Sequence, residues 1–182
     1  MATIASRLQQ VRLRIERACA AAGRPADTVT LLAVSKTCPA GRVREAHAAG
    51  QIRFGENYVQ EALAKIGQLA DLRAATEWHL IGPLQSNKTR AAAEHFDWVH
   101  SVDRLKLAER LSAQRPAQLA ALQVCLQVNI SGEASKGGLA PEEVPAVARA
   151  VARLPGLRLR GLMAIPEPAA DAEAQRAPHR AL

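Results

Sequence analysis

The stretch that decides the fold is TLLAVSK, residues 30–36. Its aliphatic and β-branched residues have the length of a buried strand, and Pro39 cannot continue a strand ladder beyond it. The run ends on Lys36. A charged side chain is unusual at the end of a buried strand unless it has a function. A buried or half-buried ammonium loses hydration, which favours the neutral amine as a nucleophile toward an aldehyde. Schiff-base chemistry and a plain surface lysine at a strand end both stay open on this motif alone.

Strand and helix patterns alternate along the rest of the chain. A leading amphipathic helix near 4–22 ends at Gly23. Strands are predicted near 29–36, 52–55, 77–82, 97–102, 122–130 and 157–165, and helices near 40–49, 57–71, 87–95, 103–113 and 142–153. This alternation predicts right-handed βαβ units, a parallel sheet and one domain over residues 1–182.

A barrel is favoured over an open dinucleotide-binding sheet, because no glycine-rich phosphate loop follows the first strand. Polar residues also collect at the carboxyl ends of several strands, where a TIM-type (β/α) barrel places its chemistry. Beyond residue 165 the chain leaves no room for two more βα units. We therefore expect about six of the eight units of a barrel, incomplete at its C-terminus.

Composition excludes several functional classes. The net charge of +7 comes from scattered arginines and aromatics make up 3% of the chain, so a nucleic-acid binder is not indicated. No apolar run approaches the roughly 18 residues of a membrane span, and residues 1–22 do not read as a secretory signal. Three widely spaced cysteines argue against a disulfide framework and a zinc site. We predict a cytoplasmic protein that attracts anionic small molecules such as phosphate esters.

Three further segments carry candidate site residues, each with a structural alternative. Asn57 follows the second strand and either contacts a ligand or caps the next helix. His79 lies inside a strand, as a ligand contact or a hydrogen-bonded core residue. Lys136 adds charge beside Gly137-Gly138, which form either an anion-binding nest or a flexible loop. Hydrolase triads, HExxH and Walker sequences are absent from the chain.

Together these segments closely resemble the pyridoxal 5′-phosphate (PLP) homeostasis proteins, which are alanine-racemase-like, fold-type III cofactor binders. The matching stretches are LAVSKT (32–37), FGENYVQE (54–61), WHLIGPLQSNK (78–88), VNIS (128–131), SKGG (135–138) and RGLMAI (160–165). The resemblance implies a TIM-type barrel with an extra N-terminal helix and an aldimine of PLP on Lys36. Asn57 and Met163, at strand ends, are predicted to line the cofactor ring, and His79 and Lys136 complete the predicted cofactor-binding set.

The resemblance implies a carrier or regulator of free PLP rather than an enzyme, with PLP-dependent apoenzymes as recipients. Racemases of this fold pair the lysine with a second acid or base, commonly a tyrosine, and the only tyrosine here is Tyr58 at a helix start. Two alternatives stay open. One is a fold-type III racemase or decarboxylase, and the other is a non-catalytic remnant whose exposed barrel edge binds a partner chain.

The C-terminus departs from the family pattern. Family members continue for about two βα units with a Ser-x-Gly-Met-Ser segment and an Arg-x-Gly strand that hold the cofactor, and neither is found here. Pro178 stands where the family has a helix, which predicts a polar tail instead. We expect a truncated member with unpaired edges at strands one and six, weak phosphate binding and a tendency to aggregate.

Overall fold

The computed structural model describes residues 3–131 and 137–182. Lys136 lies outside these residues. The helices are α1 (Ile4–Ala21), α2 (Ala40–Ala48), α3 (Val59–Gln68), α4 (Thr89–His95), α5 (Leu105–Gln114), α6 (Val144–Val151) and α7 (Ala172–Ala181). The strands are β1 (Ala33–Val34), β2 (Arg53–Glu56), β3 (Glu77–Leu80), β4 (Trp98–Val102), β5 (Leu122–Gln127) and β6 (Leu157–Met163). The predicted alternation of strands and helices is therefore confirmed.

The six strands follow one another in sheet order, from β1 to β6. The recorded pairings β1–β2, β3–β4, β4–β5 and β5–β6 are all parallel. A parallel sheet in sequential order, with a helix after each strand, is the topology of a (β/α) barrel. β1 is much shorter than the predicted strand over 29–36, because only Ala33 and Val34 pair with β2.

The chain divides into two compact units, which are described separately. The first contains the chain up to Glu56 together with Gln60–Trp78, and the second contains Asn57–Val59 together with His79–Leu182. One domain over residues 1–182 stays a prediction. No helix in the described part of the chain is long and apolar enough to cross a membrane.

In the first unit, α1 packs beside α2. Thr3 caps α1 by accepting a hydrogen bond from the Ser6 N–H at 3.1 Å. Arg12 of α1 donates to the Ala49 and Gly50 carbonyls at 3.2 and 3.0 Å, which supplies partners to the end of α2. The core beneath contains the Phe54 and Trp78 rings, with centroids 5.7 Å apart.

In the second unit, β4 and β5 form the buried centre and β6 forms an exposed border. Val99, Val102, Val124 and Leu126 are fully buried. All seven residues of β6 are instead half-buried or exposed, in alternation. This is the exposure expected of an edge strand.

The polar tail expected from the sequence is helical, although Pro178 stands where a proline disfavours a helix. Asp171 caps α7 by accepting hydrogen bonds from the Glu173 and Ala174 N–H groups at 2.9 and 2.8 Å. Arg180 forms an ion pair with Glu173 across the helix. Pro178 is accommodated inside α7, since capping and ion pairing favour the helix against the lost N–H.

Candidate functional site

Lys36 lies in a tight turn directly after β1. The Ser35 N–H donates to the Gly55 carbonyl at 2.9 Å, and the Cys38 N–H donates to the Ser35 carbonyl at 3.0 Å, which closes the turn. Thr37 adopts a φ of 61°, a left-handed conformation that β-branched residues avoid. The Lys36 side chain is exposed, as in the surface position at a strand end that the sequence left open beside Schiff-base chemistry. Within residues 3–131 and 137–182, no hydrogen bond or ion pair engages its ammonium.

A buried ionic network holds this turn, and we call it the Lys65 network (Ser35, Glu56, Glu61 and Lys65). The Lys65 ammonium is 5% exposed and donates to Glu56 Oε1 at 2.5 Å, the Ser35 carbonyl at 2.7 Å and Glu61 Oε1 at 3.2 Å. The Ser35 hydroxyl donates to the same Glu56 oxygen at 2.6 Å. Glu61 Oε1 accepts the Thr37 N–H at 2.5 Å. Both chain neighbours of Lys36 are therefore bound by the network.

The elements place this network by simple rules. Glu56 ends β2, and its side chain is fully buried. Glu61 and Lys65 are one helical turn apart on α3, at the i, i+4 spacing that brings opposite charges together. Glu56 Oε2 is buried without a hydrogen-bond partner among the described residues, so both contacts to this carboxylate fall on Oε1.

Glu61 stays charged because of its two donors. Burial raises the pKa of Glu61, but the hydrogen bond from the Thr37 N–H and the Lys65 ammonium together lower it by more. The pKa of this carboxyl therefore lies below its ordinary value of 4.5. Glu61 is therefore ionised at neutral pH, and the Thr37 N–H donates to a charged carboxylate.

In the second unit, Asn57 lies in the bend after β2 and is half-buried. Gly82, just beyond β3, packs on the Asn57 backbone: a Cβ at Gly82 would lie 2.2 Å from the Asn57 carbonyl oxygen. Only glycine fits so close an approach. The segments that follow β2 and β3 thus meet at Asn57.

His79 has the hydrogen-bonded strand position that the sequence left open as its structural alternative. It is buried, and its Nδ1 lies 2.9 Å from His100 Nε2. Its ring stacks on Trp98, with centroids 5.3 Å apart and an interplanar angle of 15°. Burial and the nearby charge of His79 lower the pKa of His100 to about 4.

Met163 is the last residue of β6, and its carbonyl accepts the Val128 N–H at 2.8 Å. A pocket of about 310 Å³ opens beyond these strand ends, between Pro83, residues 127–131, Gly137 and Ile165. Gly138 packs on this segment, because a Cβ there would lie 2.5 Å from the Asn129 nitrogen. Gly138 thus has a structural role beside the anion-binding one that the sequence suggests.

A larger pocket of about 450 Å³ lies at the opposite, amino-terminal ends of β1 and β2 in the first unit. Its two arginines are already engaged. Arg12 binds the α2 carbonyls, and Arg53 Nε pairs with Glu77 Oε1 at 3.0 Å. This pocket contains none of the predicted site residues.

The predicted site residues therefore fall into two groups. Lys36 lies in the first unit with the Lys65 network, and Asn57, His79 and Met163 lie in the second. Sequence reasoning placed Glu56 only among the polar residues at strand ends and missed Glu61 and Lys65 as contributors. The sequence of α3 held a signal for Glu61 and Lys65. They are four residues apart, which is the spacing of a helical ion pair, and Lys65 is next to the apolar residue Ile66.

Comparison with known proteins shows the family of this chain. The model for the alanine racemase N-terminal domain matches residues 6–181. A pyridoxal phosphate homeostasis protein of Pseudomonas aeruginosa is 67% identical over 177 residues, which cover 97% of this chain and 76% of that protein. This chain belongs to the pyridoxal phosphate homeostasis protein family. The family resemblance predicted from the sequence motifs is thereby confirmed.

Solved structures confirm the fold of this homeostasis-family chain. PipY of Synechococcus elongatus with PLP bound is 43% identical, with a TM-score of 0.76 over 90% of this chain and 75% of that one. Alanine racemase of Corynebacterium glutamicum is 18% identical, with a TM-score of 0.60 over 84% of this chain and 42% of that one, and shows the fold alone. The predicted alanine-racemase-like, TIM-type (β/α) fold class is confirmed.

Proposed function

We propose that this chain binds PLP through Lys36 and serves in PLP homeostasis as a carrier or regulator. The observation that carries the proposal is the exposed Lys36 amine in a turn fixed at Ser35 and Thr37. A similar protein, PipY, has a solved structure with PLP bound. The relatives are named homeostasis proteins and not enzymes, which supports a non-enzymatic role.

The residues around Lys36 fit this cofactor. PLP supplies an aldehyde carbon, to which a neutral lysine amine adds with loss of water. Lys36 offers an exposed amine, whereas Lys65 is buried and held by three acceptors. Lys36 is therefore the better nucleophile of the two, and Lys65 is a structural cation.

The remaining predicted residues belong to the same proposal. Asn57 and Met163 are half-buried at strand ends, which leaves part of each side chain free to contact the cofactor ring. His79 is buried and lies 2.9 Å from His100, so its contribution to cofactor binding is indirect and depends on how the two rings are positioned. Lys136 would add a positive charge near the phosphate. A cytoplasmic location and transfer of PLP to dependent apoenzymes complete the proposal.

Borohydride trapping tests the central assignment. Adding PLP to the chain should produce a new absorbance band, and borohydride should make the link permanent on the peptide that contains Lys36. Lys36→Ala should abolish this label. Lys106→Ala, at an exposed lysine of α5, is the matched control and should leave it unchanged. A label found mainly on Lys88 or Lys136 would contradict the assignment.

A turnover assay separates carrier from enzyme. A fold-type III racemase or decarboxylase converts an amino acid once PLP is supplied, and it needs a second acid or base to do so. Tyr58, the single tyrosine, is 60% exposed at the start of α3. We expect the PLP-loaded chain to bind the cofactor without measurable racemisation or decarboxylation of amino acids. Conversion of many equivalents of amino acid per equivalent of chain would contradict the carrier role.

A further inference from the structure

The Lys65 network contacts Lys36 only through its two chain neighbours. Lys65 donates to the Ser35 carbonyl, and Glu61 accepts from the Thr37 N–H. We propose that Glu61, supported by Lys65, is a positioning residue that holds the turn so that the Lys36 amine meets the PLP aldehyde. This inference rests on the proposed role of Lys36 as the PLP-binding lysine.

On the Ser35 side, every polar group of the residue is engaged. Its N–H donates to Gly55, its hydroxyl donates to Glu56, and its carbonyl accepts from Lys65. Because Lys65 and Glu56 are almost wholly buried, these contacts exclude water and have defined geometry. The backbone that leads into Lys36 is therefore rigid.

On the Thr37 side, one contact opposes an unfavourable conformation. A threonine at a φ of 61° is disfavoured by its own branched side chain. The short hydrogen bond from its N–H to a charged carboxylate favours this conformation. Without Glu61, the turn should relax toward negative φ and carry Lys36 away from its present direction.

The burial of the network is itself an argument for positioning. Burying an ammonium with a carboxylate often gives no net stability relative to apolar side chains of similar volume. A buried ion pair does specify geometry, because each partner accepts few arrangements. Here that geometry is applied to the two residues that flank Lys36.

Glu61 offers the cleanest test, because its side chain is 31% exposed and its loss leaves the Lys65–Glu56 pair intact. Glu61→Ala removes the acceptor of the Thr37 N–H, and Glu61→Gln keeps an oxygen acceptor at the same place. The matched control is Glu94→Ala, which breaks an exposed i, i+4 ion pair with Arg90 on α4. All variants are made in the full chain.

Two readouts separate positioning from general damage. The first is the PLP concentration that half-saturates borohydride trapping on Lys36. The second is the rate at which a small amine-directed acylating reagent modifies Lys36 without PLP. In Glu61→Ala we expect the half-saturating PLP concentration to rise about tenfold, since a misplaced Lys36 amine loses its favourable orientation toward the aldehyde. The rate of acylation of Lys36 should stay within about twofold of that in the parent chain, because the amine stays exposed.

The other variants complete the test. In Glu61→Gln the half-saturating PLP concentration should return to within about threefold of that of the parent chain. Equal trapping by Glu61→Ala and the parent would overturn the inference, as would equal losses in Glu61→Ala and Glu94→Ala. Failure of Glu61→Gln to improve on Glu61→Ala would overturn it too. A parent chain that traps no PLP on Lys36 would instead contradict the proposed function.

Discussion

The two units bury polar side chains in opposite ways. The first unit keeps its buried groups charged, because Lys65 is paired with Glu56 and Glu61. The second unit holds a histidine pair, the buried His79 and the half-buried His100, in which the pKa of His100 is lowered to about 4. Both pairs join neighbouring elements of the fold, and only the first is an ion pair.

This difference determines how each region should fail. A buried ion pair fails when one partner is removed, since the other is left as an unpaired charge. A neutral buried histidine fails when acid forces a proton onto it. Substitution therefore probes the first region best, and pH probes the second.

Removal of Lys65 should give the largest effect. Lys65→Met leaves the fully buried Glu56 without its cation and should lower the free energy of unfolding by about 3–5 kcal/mol. Urea denaturation of Lys65→Met beside Lys106→Met, an exposed lysine on α5, measures the difference. A loss in Lys65→Met no greater than in the control would show that the network does not hold the first unit together.

Acid should weaken the second unit by a comparable but smaller amount. Between pH 6.5 and about 4 the unfolded chain binds a proton at His100 that the folded chain does not. The free energy of unfolding should therefore fall across this window as the pH is lowered, by up to about 3 kcal/mol. Chemical denaturation over pH 4–7, repeated with His100→Gln, isolates this residue. An unchanged pH slope in His100→Gln would contradict the assignment.

Most of the fold was predictable because its signal is local. Most of these helices and strands bury a face whose period appears in the sequence, so the alternation of elements was recovered. The length of β1 was not, since it depends on pairing with β2 rather than on its own residues. The helix α7 was missed because capping by Asp171 and the Glu173–Arg180 pair favour it despite Pro178.

The site was predictable only in part. Lys36 was found because a charge at a strand end stands out, but its exposure depends on the turn at Thr37. Lys65 was missed because a lysine on an amphipathic helix is usually solvated. Its burial requires Glu56, which lies nine residues away on another element and meets it only after folding.

Thr37 should report the strain stored beside Lys36 as a smaller effect. At a φ of 61°, glycine is tolerated and alanine is not, so Thr37→Gly should be more stable than Thr37→Ala by about 1 kcal/mol. Denaturation of the two variants measures this gap directly. Equal stabilities would indicate that Thr37 does not hold the left-handed conformation in solution.

The smallest effect on stability is expected for Lys36 itself, and it sharpens the contrast with Lys65. Because the Lys36 side chain is exposed and makes no hydrogen bond or ion pair with the described residues, Lys36→Ala should change the free energy of unfolding by less than about 0.5 kcal/mol. The same substitution should abolish trapping of PLP. The two lysines would then have separate roles: Lys36 would bind the cofactor and Lys65 would hold the turn. A stability loss in Lys36→Ala near that of Lys65→Met would show that the Lys36 amine is engaged within the fold, and the division would not hold.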